Sequence, residues 1–231
     1  MIKIMMSNEN HQQALFNQFA TVAEALAHGN RLALLELLAQ GERDVETLAR
    51  HLGISLASCS QHLQKLKQAG LILDRRAGRH RVYRLANDEV SVLVVALQNV
   101  AATTSLAAEK TIQERLRRLD PEPPIPAGTL WELIQKQAVH LLDVRPAEEY
   151  QSGHLPCAIS WPIERLRAEP PTITPDRPIV VYCRGRYCFL ALEALMKLRR
   201  GGYRVTRLEE GVPEWARGGY PVEVGAARAT P

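Results

Sequence analysis

The sequence predicts two domains: a mainly helical first domain, and a second domain in which strands and helices alternate. A chain of 231 residues is long for one domain of usual size. Four prolines fall within residues 120–128, which neither a helix nor an inner strand tolerates, and the hydrophobic pattern changes at this segment. We therefore expect domains at 1–118 and 129–225, joined by a stiff proline-rich linker at 119–128 and followed by a flexible tail at 226–231.

The composition favours a folded protein whose excess positive charge lies in the first domain. Apolar residues make up 46% of the chain, which argues against global disorder. Residues 1–118 contain 15 of the 29 Lys and Arg residues but 11 of the 25 Asp and Glu residues, so the net charge of +4 lies there and suggests an anionic partner. The sequence has no apolar run of about 18 residues and no secretory signal, so we expect a cytoplasmic protein without a membrane span.

Four helices are predicted before residue 71, and the third and fourth form a helix-turn-helix. Apolar residues at helical spacing from Leu15 to Leu26 predict the first helix. A short helix, a turn with glycine and a second helix match the helix-turn-helix pattern. The predicted caps and stops of the second, third and fourth helices are, in order, Asn30, Gly41, Asp44, Gly53, Ser55 and Gly70.

The fourth helix has one apolar face and one face suited to DNA. Its apolar stripe, spaced three, four and three residues apart, predicts burial of Leu56, Cys59, Leu63 and Leu66. The other face carries hydroxyl, amide and cationic groups, which contact base edges and phosphates in a major groove. An ordinary solvated helix face is the alternative. The candidate DNA-binding residues on this face are Ser58, Gln61, His62 and Lys65.

Residues 71–85 predict a basic β-hairpin directly after this helix. Two strand-like runs surround Ala77-Gly78, and the segment holds five arginines with no acidic residue after Asp74. Such a hairpin beside a helix-turn-helix is typical of a wing that lies along a phosphate backbone and makes binding depend on salt. A solvated basic hairpin without a ligand is the alternative. The candidate DNA contacts are Arg75, Arg76, Arg79 and Arg81.

A fifth helix, from about Asp88 to Leu119, predicts a homodimer. Its main apolar stripe consists of Val90, Leu93, Leu97 and Val100, and further apolar residues lie off that stripe. A helix that is apolar on more than one side needs a second surface to cover it. A two-fold partner would provide that surface and would present two recognition helices to two DNA half-sites.

The order of these elements resembles the ArsR/SmtB family of bacterial winged-helix repressors. The resemblance rests on the segment His28 to Arg31, the helix from Ser55 to Gly70 and the arginine-rich wing, and it covers about residues 12–118. It implies binding of double-stranded DNA and repression. Many members of the family sense metals, but here the third helix has no cysteine and the fifth has no histidine or cysteine. We therefore expect no metal site, and we interpret Cys59 as a small core residue.

The second half predicts an α/β domain with a mostly parallel sheet. Strands are expected at 138–144, 158–161, 178–182 and 205–208, and helices at 146–151, 189–200 and 212–217. Strands that alternate with helices in this way form mostly parallel sheets.

Cys183 is the candidate nucleophile because it follows a buried strand and precedes a helix. Ligands of open α/β sheets bind beyond the carboxyl ends of strands. Backbone N–H groups and the helix dipole there favour a thiolate, and Gly185 lets the loop curl around the sulfur. Arg184 and Arg186 would add positive charge for an anionic sulfur donor, so that the thiolate could attack a sulfane sulfur and keep it as a persulfide. A buried, inert cysteine is the alternative.

These residues also resemble a rhodanese domain over about residues 128–224. The matching motifs are Leu142 to Arg145, Glu149-Tyr150, Gly153 to Pro156, the loop from Cys183 to Cys188, and Gly202-Tyr203 followed by Leu208 to Gly211 and Trp215. The resemblance implies a sulfurtransferase fold that needs no cofactor. It makes Cys183 the persulfide-forming residue. Residues Arg184 to Cys188, which include Tyr187, would form the substrate loop, and Asp143 and Arg145 would support it structurally. The six-residue loop disfavours phosphatase activity.

Three residues depart from the rhodanese pattern: Arg186, Cys188 and Cys157. Cys188 is either a resolving thiol for Cys183 or a small residue that starts the helix, and the sequence leaves both open. We interpret Cys157 as filling a gap rather than as a redox partner, and His154 as a structural hydrogen-bonding residue.

The leading hypothesis is a dimeric DNA-binding repressor whose second domain gains sulfur, or is oxidised, at Cys183. Its expected partners are double-stranded DNA and a small sulfur-donor anion or thiol persulfide. A second hypothesis is a sulfurtransferase that the winged helix only localises. A third, which rests on family association, is a regulator that responds to arsenic or another metalloid.

Overall fold

The structure is a computed structural model in which the chain divides into two compact units between Leu97 and Gln98. The predicted tail at 226–231 lies outside the described residues, as does most of the segment from 113 to 117 that was expected to end the fifth helix. The described residues are 2–112, 114, 118–173 and 176–225.

The first unit is a winged helix-turn-helix, as the sequence predicts. Its helices are α1 (Ile2–Leu26), α2 (Gly29–Ala39), α3 (Val45–Leu52), α4 (Leu56–Gln68) and the first part of α5 (Asp88–Thr104). Its strands are β1 (Arg43–Asp44), β2 (Ile72–Ala77) and β3 (His80–Leu85), which pair antiparallel in the order β1-β3-β2. Gly78, with φ of +62°, makes the turn between β2 and β3 that forms the wing.

The helix starts follow local capping chemistry, with one correction. The Asp44 carboxylate accepts a hydrogen bond from the Thr47 N–H at 2.7 Å, which begins α3 where the sequence predicted it. The predicted cap at Asn30 is wrong, because α2 begins two residues earlier, at Gly29. His28 is the cap, and its Nδ1 accepts a hydrogen bond from the Asn30 N–H at 3.1 Å.

The core of the first unit contains three of the four residues of the predicted α4 stripe. Cys59, Leu63 and Leu66 are fully buried among leucines of α2 and α3. Leu56, also predicted to be buried, is 51% exposed. It is the first residue of α4, and helical side chains point toward the N-terminus, so its side chain extends past the end of the helix.

The fifth helix is shorter than predicted. It ends at Thr104, and α6 (Leu106–Ile112) follows at a bend of 96°. The side chains of Thr103 and Thr104 bond back to the Val100 carbonyl, and the Ser105 hydroxyl accepts from the Ala108 N–H, so local side-chain bonds compete with a continuous helix. Among the described residues, no single helix is long and apolar enough to cross a membrane, and only α5 and α6 taken together would reach that length.

The predicted apolar stripe of α5 is divided between two environments. Val90 is buried in the core of the first unit, as is Val94, which lies off the stripe. Leu93, Leu97 and Val100 remain 39%, 37% and 58% exposed. The structure therefore leaves most of the stripe uncovered within one chain.

The second unit contains a four-stranded parallel sheet, as predicted. Its strands, in the order β5-β4-β6-β7, are β4 (His140–Asp143), β5 (Ile159–Ser160), β6 (Ile179–Tyr182) and β7 (Val205–Arg207). Its helices are α7 (Ala127–Gln135), α8 (Ala147–Ser152), α9 (Ile163–Ala168), α10 (Phe189–Arg200) and α11 (Val212–Arg217). The sequence did not predict α7 and α9.

Both faces of this sheet are covered. Val181 packs into one hydrophobic cluster with α9 and α10, while Val180 and Tyr182 pack into another with α7 and α11. This alternation follows from the two-residue period of a strand, and it is typical of parallel sheets. Because β6 is buried on both faces, it holds the residue that follows it, Cys183, in a fixed place.

The proline-rich segment is attached to the second unit rather than extending freely as a linker. Asp120 is buried, and its carboxylate accepts hydrogen bonds from Arg199 at 3.1 Å and from Arg207 at 2.8 Å. The Ile125 N–H donates to the Arg207 carbonyl at 2.9 Å, beside the edge strand β7. These distant arginines could not be recognised as partners from the local sequence.

Candidate functional site

The exposed face of α4 contains two of its four predicted DNA contacts. Gln61 and Lys65 are exposed, whereas Ser58 and His62 are half-buried. Ser60 and Gln64 are also exposed on this helix, although the sequence analysis did not select them. Gln64 lies three residues after Gln61 and four after Ser60, and this helical spacing was the signal that could have identified them.

His62 is held against the start of α2 rather than projecting freely. Its ring lies 4.4 Å from the His28 ring between centroids, and its Nε2 is 3.5 Å from the Asn30 amide nitrogen. Burial lowers the pKa of His62, and the charges of His28 and Arg31 lower it further. His62 is therefore a neutral contact between helices at neutral pH.

The wing arginines fall into paired and unpaired sets. Arg75 donates two hydrogen bonds to Glu42, and Arg81 forms an ion pair of 2.8 Å with Asp74. Arg76 and Arg79 are exposed and form no ion pair with any residue that the structure describes. Two of the four predicted wing contacts are thus free for an anionic ligand, and two already have carboxylate partners.

The loop from Cys183 to Cys188 joins β6 to α10 and closes on itself. Cys183 is 2% exposed, and its thiol donates to the Cys188 carbonyl at a distance of 3.5 Å. The Cys188 N–H donates to the Gly185 carbonyl at 3.1 Å, and Gly185 has a φ of +146°, which favours glycine. The N–H groups of Gly185 and Ala191 oppose the rise in the pKa of Cys183 that its burial causes. The loop therefore buries this sulfur beside polar backbone.

Both arginines of the loop are paired with glutamates, contrary to the expectation that they supply free positive charge. Arg184 donates to the fully buried Glu149 at 2.7 and 3.0 Å, and Arg186 donates to Glu209 at 2.7 Å. Burial also raises the pKa of Glu210, the next residue after Glu209. These glutamates lie 35 and 23 residues from their arginines, so no spacing rule could have identified them.

The two thiols of the loop differ in acidity. Burial raises the pKa of Cys183 well above its ordinary value, although the N–H groups of Gly185 and Ala191 oppose this effect. A hydrogen bond from the Cys183 thiol lowers the pKa of Cys188. The expected preference for a thiolate at Cys183 is therefore wrong for the resting pair, because burial outweighs the dipoles. The assignment of Cys183 as nucleophile stays a prediction.

Asp143 and Arg145 form a fully buried ion pair below the loop. Arg145 Nε donates to Asp143 at 2.9 Å, and Arg145 Nη2 donates to the Gly153 carbonyl at 2.7 Å. The Tyr182 hydroxyl donates to Asp143 at 2.6 Å. Burial raises the pKa of Tyr182, so this hydroxyl keeps its proton. The network connects the end of β4 to the end of β6 directly before Cys183.

The other candidate residues lie outside the loop. Cys59 is fully buried, and burial raises its pKa to about 11, in agreement with a core role. Cys157 is exposed at a φ of +62°, so it does not fill a gap; its backbone conformation turns the side chain outward. His154 is buried, stacks on Tyr150 and lies 2.8 Å from the Tyr150 carbonyl. Among the described residues, no group of three or more His, Cys, Asp or Glu is arranged to hold a metal ion.

Family profiles match both halves of the chain. The rhodanese-like domain family matches residues 126–217, and a helix-turn-helix domain family matches residues 26–75. The HTH-type transcriptional regulator Rv0324 of Mycobacterium tuberculosis is 42% identical over 226 residues, which cover 96% of this chain and 97% of the relative.

A second relative and a solved structure match one half each. A protein named sulfurtransferase from Allochromatium vinosum is 34% identical over 91 residues, or 39% of this chain and 83% of the relative. The solution structure of a homodimeric winged helix-turn-helix DNA-binding domain from Mycobacterium bovis is 44% identical. It covers 42% of this chain and 89% of that chain, with a TM-score of 0.39.

Proposed function

This chain belongs to the HTH-type transcriptional regulators and ends in a rhodanese-like domain, and from this premise we propose that sulfur bound at Cys183 controls its affinity for DNA. In this proposal the first domain binds double-stranded DNA as a homodimer. The second domain takes a sulfane sulfur from a small sulfur donor or a thiol persulfide. The observation that carries the proposal is the closed loop that buries the Cys183 sulfur beside polar backbone, in a chain that also has a winged helix.

The DNA-binding part of the proposal rests on α4 and the wing. Gln61 and Lys65 present an amide and a cation on the exposed face of α4, which suit base edges and phosphates. Arg76 and Arg79 are exposed without carboxylate partners, so each can neutralise a phosphate and release a counterion.

The dimer is supported by uncovered apolar surfaces on two helices. Leu15, Phe16 and Phe19 of α1 are each more than half exposed, and Leu93 and Leu97 of α5 are partly exposed. Contiguous apolar surface of this kind marks an interaction site. A second copy of this chain would cover the same surfaces reciprocally in a two-fold arrangement.

The chemistry at Cys183 is sulfur transfer from a persulfide donor. The Cys183 sulfur attacks the terminal sulfur of the donor R–S–SH, a new S–S bond forms, and the S–S bond of the donor breaks. The donor leaves as the thiol R–SH and carries away the Cys183 proton, so that Cys183 becomes a persulfide. Backbone N–H groups of Gly185 and Ala191, which oppose the rise in the pKa of Cys183, would stabilise the negative charge that develops on sulfur.

A gel-shift titration tests the link between sulfur and DNA. The DNA would be the segment upstream of the gene, and the protein would be reduced or polysulfide-treated wild type, Cys183→Ser and the control Cys157→Ser. We expect polysulfide to change the affinity of the wild type and of Cys157→Ser but not that of Cys183→Ser, because only the last lacks the acceptor. Equal affinity of wild type in both states would overturn the proposal.

The second candidate is a sulfurtransferase that acts catalytically. The similarity of part of this chain to a protein named sulfurtransferase favours it. It predicts repeated turnover from thiosulfate or polysulfide to a thiol or cyanide acceptor. Turnover that is lost in Cys183→Ser, together with unchanged DNA affinity, would support this enzyme and replace the sulfur-controlled regulator.

A further inference from the structure

We propose that Cys188 is the resolving thiol of the loop: it attacks the persulfide on Cys183, closes a Cys183–Cys188 disulfide and releases hydrosulfide. The inference rests on the proposed function, because it needs a sulfane sulfur on Cys183. It adds that the lasting product is an oxidised loop and not a stored persulfide.

The first support is the proximity of the two residues. Sγ of Cys183 lies 3.5 Å from the carbonyl oxygen of Cys188, and the Cys188 side chain packs against the hydrophobic cluster that contains Cys183. The Gly185–Cys188 turn, with its hydrogen bond of 3.1 Å, holds the two ends of the loop together. A disulfide between two cysteines of one closed loop needs the sulfurs to meet by side-chain rotation, which this proximity of the two residues favours.

The second support is the difference between the environments of the two sulfurs. Cys183 is buried at the end of β6, whereas Cys188 is partly exposed at the start of α10. The hydrogen bond from Cys183, followed by backbone N–H groups of Arg184 and Leu190, lowers the pKa of Cys188. The thiolate is the attacking species in thiol–disulfide exchange, so Cys188 is the thiol of the pair prepared to attack.

The reaction balances without any further reagent. The Cys188 thiolate attacks Sγ of the Cys183 persulfide, an Sγ–Sγ bond forms, and the bond from Sγ of Cys183 to the terminal sulfur breaks. The terminal sulfur leaves with that electron pair and its proton as HS⁻. Formally, the Cys188 sulfur is oxidised by one electron and the terminal sulfur is reduced by one.

The remaining thiols do not compete for this role. Cys59 is fully buried in the first unit, and burial raises its pKa to about 11, which leaves it protonated. Cys157 is exposed and lies outside the loop. Within the described residues, Cys188 is therefore the thiol in contact with Cys183. The pairing of Arg184 and Arg186 with glutamates also removes the cations that could retain an anionic product.

The experiment treats the reduced full-length protein with limiting inorganic polysulfide and follows it by mass spectrometry and by hydrosulfide release. The variants are Cys188→Ser, Cys188→Ala, Cys183→Ser and the matched control Cys157→Ser. Two substitutions at Cys188 are used, and circular dichroism and binding to DNA establish that each variant is folded.

We expect the wild type and Cys157→Ser to release hydrosulfide and to become two hydrogens lighter, with a peptide cross-link between Cys183 and Cys188. Both folded Cys188 variants should lack the cross-link, release only the hydrosulfide of the first step, and accumulate a chain that is one sulfur heavier at Cys183. A wild type that keeps the added sulfur as stably as the Cys188 variants would overturn the resolving role. If no Cys188 variant gains sulfur, the proposed sulfur acceptor at Cys183 itself is wrong, which is a different result.

Discussion

Single charged residues of the wing differ in ways that their sequence does not show. Five arginines lie between residues 75 and 84, and by composition they are equivalent. In the structure, Arg75 forms an ion pair with Glu42, and Arg81 forms one with Asp74. Arg76 and Arg79 are exposed and form no ion pairs among the described residues. An arginine that already has a carboxylate partner gains less from a phosphate, because it must first give up that partner.

Arg76→Ala should weaken DNA binding more than Arg75→Ala does. Each lost phosphate contact lowers the slope of log affinity against log salt by about 1, and the loss should be nearly uniform across DNA sequences. The measurement is the DNA affinity of both variants over a range of salt concentrations. Equal slopes for the two variants would contradict the division into paired and unpaired arginines.

Cys59 should make the first domain less stable at alkaline pH. Its pKa is raised from 9.0 to about 11 by burial, so the folded state holds this proton more tightly than the unfolded state does. The contribution is fully present below pH 9 and is lost as pH rises from 9 to about 11. Relative to Cys59→Val, which cannot ionise, the wild type should lose about 1–2 kcal/mol of unfolding free energy over this range. Parallel stability curves for the two proteins in chemical denaturation would contradict this prediction.

At the scale of elements, the shape of the loop from Cys183 to Cys188 depends on the segment that precedes α11. A Cβ added to Gly211 would lie 2.2 Å from the Arg184 carbonyl oxygen, and Gly211 N–H donates to Glu214 at 2.9 Å as the cap of α11. Arg186 and Glu209 tie the same two segments together. The shape of the loop is therefore set by a close backbone approach from a segment more than twenty residues away in sequence.

Gly211→Ala should destabilise the second domain by about 1–3 kcal/mol or more, because the added methyl group meets backbone that must move. We also expect slower sulfur uptake at Cys183, since the displaced loop no longer surrounds the sulfur. Thermal unfolding and polysulfide uptake measure the two effects. Gly29→Ala is the control, because its added Cβ meets no atom within 4 Å. A Gly211→Ala protein as stable and reactive as this control would show that the close approach of Gly211 to the Arg184 backbone does not constrain the loop.

At the scale of the whole molecule, the chain leaves apolar surface uncovered. The exposed residues of α1 and α5 are large, and burial of each such side chain contributes about 1.5–3 kcal/mol. Two copies that cover these surfaces would gain several such contributions and would also present two copies of α4 to DNA.

Phe16→Glu and Leu93→Glu should each shift the protein from dimer to monomer and lower its affinity for a two-half-site operator. The charge cannot be buried in an apolar interface without a partner. Sedimentation and gel-shift measurements test both effects, with Val224→Glu as a control at an exposed position in the second unit. A wild type that sediments as a monomer, or variants that remain dimeric, would contradict the proposed interface.

Local patterns in the sequence determined the order of elements in both domains. The period of apolar residues and the caps at Asp44 and Ser55 predict the helices, and the apolar run before Cys183 predicts a strand that ends at the reactive loop. These features depend on neighbours within a few residues, so they can be predicted without a structure. The two missed helices are short, of nine and six residues, and give a weak periodic signal.

Tertiary structure decided the state of each functional group. Arg184 meets Glu149 35 residues away, Arg75 meets Glu42 33 residues away, and burial raises the pKa of Cys183, where the sequence predicts a thiolate. Charge pairing and desolvation depend on which distant segments the fold brings together, and local spacing does not encode that information. The sequence alone therefore determined which residues form the loop and the wing, and only the packed chain decided which of their charges and thiols remain free to act.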